Sequence, residues 1–270
     1  MKDLGRIVRR KMNFSFSKTV RHHWMNGDAF KTHFLNSFTL LFPEGEKFFI
    51  RSINRFKGQI KDPEISADIK DFIFQETQHY LEHQRFFTNL EEQGYEIQPM
   101  IKFLKFFISE VVEKFSSDKM NLSITSGLEH ITAMLSEIAL ETGFLNEADG
   151  EMRELFEWHA REEIEHRHVA YDVLNAVDDS YSLRVMGLVI AYILFGAFTT
   201  AFTIGLLKQD KKIASLKTLK SALQLFITKE SLFYEAGVIM ARYLLPNFHP
   251  NNRNSLDELL AKFEAQARAA

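Results

Sequence analysis

The sequence predicts an all-α fold, and three observations carry that prediction. Phe stands at 26 of 270 residues while Pro and Gly stand at 5 and 12. Few breakers and many large apolar side chains favour long packed helices over β structure. Apolar residues also recur at helical spacing through most of the chain. At 46% apolar and 26% charged, the composition is that of an ordinary chain able to bury a core.

The elements follow in order. Residues 1–42 read as a basic, aromatic N-terminal extension with a short helix near Gly27–Leu41. Pro43 suits the first position of a helix running to Gly58. A second helix starts after Pro63 and stops at Gly94, which fits the left-handed position that ends a helix. Ile101–Phe115 is amphipathic, Asp118 is placed to cap a third long helix reaching Gly143, and a fourth spans Glu147–Val177. Residues 178–270 hold an apolar stretch, two or three further helices and a polar tail. Residues 43–177 thus form a bundle unit. Four helices with one long crossover, here Ile101–Phe115, make the ferritin-like arrangement.

Composition also excludes. A net charge of −3 provides no basic footprint for nucleic acid. With no cysteine, disulfides, thiolate metal sites and a Cys nucleophile are ruled out, so any metal must be held by His and carboxylate. The basic N-terminus lacks the apolar core of a signal peptide, which makes cytoplasmic the expected location.

Charged residues then stand where the helical period wants apolar ones. Glu46 shares a stripe with Phe42, Phe49, Ile50 and Ile53, whereas Glu44 falls on a solvated face. Phe72, Glu76, His79, Tyr80 and His83 form the next stripe, containing the Glu-x-x-His pair Glu76 and His79. Glu129 lies on a face with Thr125, Thr132 and Ser136. Glu163 and His166 form a second Glu-x-x-His, with His159 one turn earlier, inside "HAREEIEHRH". The order is Glu, Glu-x-x-His, Glu, Glu-x-x-His, which is the ligand order of di-iron and di-manganese carboxylate bundles. A buried carboxylate is costly unless it is paired or binds metal, and four converging carboxylates repel unless cations neutralise them. Glu162 stays open as an alternative to Glu163; otherwise Glu162 and Glu165 read as solvated. His83 stays open between a ligand and a supporting group. Tyr80 and Trp158, beside His79 and His159, read as packing rather than as electron relays.

The stretches "FPEGEKFFIRSINRF", "QETQHYLEHQRFF", "GLEHITA" and "WHAREEIEHRHVAYDV" resemble the bacterial ferritin-like family labelled predicted metal-dependent hydrolases, over roughly Pro43 to Val177. "HAREEIEH" is also similar to the p-aminobenzoate N-oxygenases, in which an extra histidine joins the ligands of a di-iron centre. These resemblances imply Glu46, Glu76, His79, Glu129, His159, Glu163 and His166 as ligands of two metal ions. The substrate does not carry over.

His and carboxylate donors suit iron first, with manganese or zinc as alternatives. The expected chemistry is O2 activation to oxidise or oxygenate a small organic substrate, an apolar one if the chain meets a membrane; hydrolysis by a two-metal-activated water is the alternative. A non-catalytic iron-binding or membrane-associated protein is the third reading. No Gly-rich phosphate cradle is visible, so electrons would come from an external donor. Finally, Val185–Leu207 carries no charge over 23 residues. That is about 35 Å of helix, enough for a bilayer core, so the segment reads as a membrane span, a membrane-surface element, a buried fifth helix or a homodimer interface.

Overall fold

Three of the long helices start where the sequence supplies a hydrogen-bond acceptor. In the computed structural model, which describes residues 7–16, 20–227, 232–252, 256 and 258–261, helix α1 spans Ala29–Asn54 and Asp28 accepts from the Lys31 N–H. Helix α2 spans Pro63–Glu92, and Asp62 accepts from the N–H groups of Glu64 and Ile65. Helix α3, Gln98–Phe106, continues as a π-helical segment, Phe107–Glu113. Helix α4 spans Asp118–Glu141, and its cap is Ser117 rather than Asp118, which sits in the first turn and favours the helix dipole instead. Gly94 and Gly143, at φ 94° and 67°, close α2 and α4. The described residues form no β-strand, as expected of an all-α chain. The expected polar tail lies, from 262 onward, outside the described residues.

Two helices depart from the sequence expectation. α1 does not begin at Pro43 but runs through it. Proline in a helix interior costs about 3 kcal/mol. Here Phe34, Phe38 and Leu41 before it and Phe48, Phe49 and Ile53 after it are all buried, and that packing outweighs the cost. The expected fourth helix is broken into α5, Gly150–His166, and α6, Val169–Val177. Arg167 explains the break: its guanidinium donates to the Ile164 carbonyl, the group that His168 N–H would use in a continuous helix, and to the Pro250 carbonyl.

Contacts between ends set the topology. Met25 pairs with Ala148 just before α1 and α5, so these two helices run in the same direction. Ser52 near the end of α1 meets Thr125 near the start of α4, so those two oppose. His168 after α5 meets Asp68 at the start of α2, so those oppose as well. This up-down-down-up order with one crossover is compatible with a ferritin-like bundle.

Helix α7, Tyr181–Gln209, lies over the α1–α4 side, where Gly187 abuts Ser123 and Phe195 meets Phe38. Helices α8 (Leu216–Ile227) and α9 (Leu232–Tyr243) follow. On the opposite side, residues 7–16 lie as an extended arm over α2 and α5. One apolar cluster, including Trp24, Phe38, Phe86 and Phe156, fills one end of the bundle; another, including Phe49, Phe72, Ile124 and Val173, fills the other. Along α1 and α2 the charged positions 46 and 76–79 fall between the two clusters.

Candidate metal centre

Helical spacing brings the seven expected side chains together. Glu46 comes from α1, Glu76 and His79 from α2, Glu129 from α4, and His159, Glu163 and His166 from α5, and all seven are buried. His166 Nε2 lies 3.1 Å from Glu76, 3.3 Å from Glu129 and 3.6 Å from Glu163. His79 Nδ1 lies 3.7 Å from Glu76 and 3.6 Å from Glu163. His159 Nε2 lies 3.0 Å from Glu163 and 3.9 Å from Glu46. Three overlapping groups therefore have donor spacing suited to a cation: Glu76, Glu129 and His166; Glu76, His79 and Glu163; Glu46, His79 and His159.

Apart from the His159–Glu163 pair, the inward-facing atoms make no hydrogen bond. Both oxygens of Glu46, Glu76 and Glu129, Oε2 of Glu163, Nδ1 of His79 and Nε2 of His166 are buried with no hydrogen-bond partner among the described residues. Buried polar atoms are nearly always satisfied, so a cluster of orphans facing one point is suited to holding cations.

The family described as predicted metal-dependent hydrolase matches residues 8–254. The chain belongs to that family. No curated protein and no solved structure matches the chain.

In this family member each centre-facing imidazole is oriented from behind. His79 Nε2–H donates to Glu162 at 3.1 Å, leaving Nδ1 toward the carboxylates. His166 Nδ1–H donates to Gln75 Oε1 at 2.9 Å, leaving Nε2 inward. His159 Nδ1 lies 2.8 Å from His83 Nε2, and His83 Nδ1 reaches Thr39. His83 thus stands behind His159. Such outer partners set the tautomer that exposes a lone pair to a metal.

Arg10, on the N-terminal arm, closes two of these chains. Its guanidinium forks onto Glu165 at 2.7 and 2.9 Å and reaches Glu162 at 3.2 Å, while Gln75 Nε2 donates to Glu165. Glu162 and Glu165 are therefore buried beneath the arm, not solvated as the α5 sequence suggests. The helical period shows that they point away from the centre, but not that residues 152–157 positions away will cover them. Glu44 is half-buried and pairs with Lys47, and Tyr80 lies under the Lys47 ammonium, away from the centre. Trp158 packs edge-on to His79 with ring centroids 4.9 Å apart.

Burial, then Glu76, Glu163 and Glu129, raise the Glu46 carboxyl well above its ordinary range. Burial likewise pushes Glu76 and Glu129 up to about 8, against the pull of His166. Burial opposes ionisation of Glu163 too, but His166 and His159 outweigh it and hold Glu163 well below the usual carboxylate range. His166 is raised well above its ordinary value because Glu129 and Glu163 overcome its burial. Burial and neighbouring imidazoles push His159 and His83 down. Without cations, then, protons relieve the repulsion, and metal and protons compete for the same oxygens.

Two apolar cavities touch the centre. The larger, about 80 Å³, lies between α1, α4, α7 and the α3–π segment, lined by Phe48, Leu104, Phe107, Phe198 and others, with Glu46 as its one charged wall. The smaller, about 50 Å³, is walled by Phe38 and Phe156 and reaches His159 and Glu163. Phe42, Thr132 and Phe195 line both.

Proposed function

We propose that this metal-dependent family member holds two divalent cations in its bundle core and uses them to transform a small, largely apolar substrate. The observation that carries the proposal is the cluster of buried, unpartnered carboxylate oxygens and imidazole nitrogens. Glu129 and His166 would hold one ion, Glu46, His79 and His159 the other, with Glu76 and Glu163, which approach both groups, between them. Bound there, the cations would supply Lewis-acid activation of water or, as iron, electrons for O2.

The family description supports hydrolysis as the first reading. In it the Phe-lined cavity binds the apolar part of the substrate, with Glu46, one of the ligand residues, on its wall. Oxidation by O2 is the second reading, favoured by the donor set: four carboxylates and three imidazoles without thiolate, inside a helical bundle. It requires a small organic substrate and an external electron donor.

The test is element-resolved metal analysis of protein purified without chelators, on wild type, Glu129→Ala and Glu163→Ala. About two ions per chain in wild type, with at least one lost in each variant, supports the centre. Full loading in both variants refutes it. Zinc that persists under iron-replete expression, with turnover of an ester or phosphoester panel, supports hydrolysis. Iron or manganese with O2 uptake by the reduced protein supports oxidation.

A further inference from the structure

Helix α7 turns a long uncharged face outward. Met186, Val189, Tyr192, Ile193 and Ile204 are exposed along it, and its exposed positions carry no charge from Ser182 until Lys208. The helix is long and apolar enough to cross a membrane by length and composition. Its inner face, however, is seated on the bundle: Gly187 abuts Ser123, Gly127 abuts Leu188 and Ala191, and Phe195 meets Phe38. A crossing would carry α1 and α4, with their buried carboxylates, into hydrocarbon. The geometry suits a helix lying along a membrane surface.

The neighbouring α3 extends that face. Phe103 and Phe106 are 55% and 57% exposed. The Phe103 ring meets Phe107 and Phe198 at 6.3 and 6.0 Å, and those two line the larger cavity. Surface patch and cavity wall are therefore continuous. Lys102 and Lys105 alternate with the two phenylalanines, and Lys208, Lys211 and Lys212 follow where α3 meets the end of α7, Met100 against Gly205. Of the neighbouring acids, Asp210 is engaged by His23 and His33, Glu110 by Lys114 and Glu113 by Arg51. Glu96, beside Gln209, is the exception. The next helix, α8, repeats the pattern, exposing Leu216, Leu219 and Leu223 with Lys217 and Lys220 between them.

We infer that this face docks the protein on an anionic lipid bilayer, with the α3–α7 rim of the cavity turned to the acyl chains. Aromatic and aliphatic side chains enter the headgroup boundary while the interleaved lysines reach the phosphates. Resting on the proposed metal centre, this makes the substrate a membrane-dissolved apolar molecule entering between α3 and α7 toward Glu46. A second copy of the chain fits the face less well, because a symmetric pair would bring like lysine clusters together.

The experiment is vesicle flotation of the full chain, using phosphatidylcholine alone and an equimolar mixture with phosphatidylglycerol. Wild type should float with the anionic vesicles and far less with the neutral ones. Lys102→Gln, Lys105→Gln and Lys208→Gln combined should weaken binding about a hundredfold, at roughly fivefold per lysine. A Phe103→Trp probe should shift to the blue on binding and be quenched by doxyl-labelled lipid, whereas Leu81→Trp on the opposite helix α2 should not. Failure of wild type to float, equal binding by the lysine variant, or equal quenching of both probes overturns the docking. So does a dimer, seen by ultracentrifugation, that buries Phe103→Trp and persists with vesicles. Metal content measured on the same samples separates the two proposals: flotation without metal leaves the docking standing and removes only the substrate route.

Discussion

Replacing Arg10 by methionine removes the guanidinium but keeps an apolar stem, so the arm can still pack. What it leaves behind is Glu162, fully buried, and Glu165, 6% exposed, facing each other without their shared cation. Breaking a buried ion pair from one side costs about 3–5 kcal/mol. Two features reduce that figure. Arg10 is itself 29% exposed, and the carboxylates keep the Val8 N–H, Gln75 and His79 as donors. The expected loss is about 2–3 kcal/mol of unfolding free energy. Because Glu162 orients His79 and the Gln75–Glu165 pair orients His166, metal affinity should also fall by roughly 10–100-fold. Urea denaturation of the metal-free protein and chelator competition with the loaded protein measure the two effects. Arg9→Met is the control: Arg9 is 48% exposed and pairs with Asp71, so its loss should cost about 0–1 kcal/mol and leave metal affinity alone. Adding Glu165→Gln to Arg10→Met should recover part of the stability by removing the stranded charge. If Arg10→Met and Arg9→Met are indistinguishable in both assays, the closing role of Arg10 is wrong.

Two other perturbations test other parts of the structure. In metal-free protein Glu76 and Glu129 sit at about 8 against an ordinary 4.5, so in that interval the unfolded chain has released protons that the folded chain keeps. Raised His166 acts in the same direction above its ordinary 6.5, while the lowered His159 and His83 offset part of the fall near 6.5 and are neutral in both states toward pH 8. Stability of the metal-free protein should therefore fall from pH 6.5 to 8, by on the order of 1 kcal/mol per pH unit for each carboxylate. Added metal should stabilise more as pH rises, which thermal melts with and without metal would show; a flat or rising metal-free profile would contradict it. At the α4–α7 contact, a Cβ on Gly187 would meet Ser123 Oγ at 2.0 Å and its carbonyl carbon at 2.5 Å, so the two helices must separate. Gly187→Ala should cost about 1–3 kcal/mol, while Gly196→Ala, with nothing within 4 Å, should be neutral or mildly stabilising. Equal melting temperatures for the two variants would count against that close approach.

What the sequence determined on its own is what local spacing controls. Glu76 with His79, and Glu163 with His166, must share a helix face because a helix turns 3.6 residues at a time, and a carboxylate on an apolar stripe announces burial before any partner is known. The same local reasoning failed where distant contacts outweighed propensity. It started α1 at Pro43, although burial on both sides carries that helix through. It ran one helix past Arg167, whose side chain takes the Ile164 carbonyl because Pro250 holds the guanidinium from the far side. Only the tertiary structure decided that an N-terminal arm would bury Glu162 and Glu165 under Arg10, that His83 would stand behind His159, and that the exposed face of α7 would join a Phe-lined cavity ending at Glu46. Those arrangements join groups far apart in the chain, and side-chain packing between helices, which no helical period encodes, selects them.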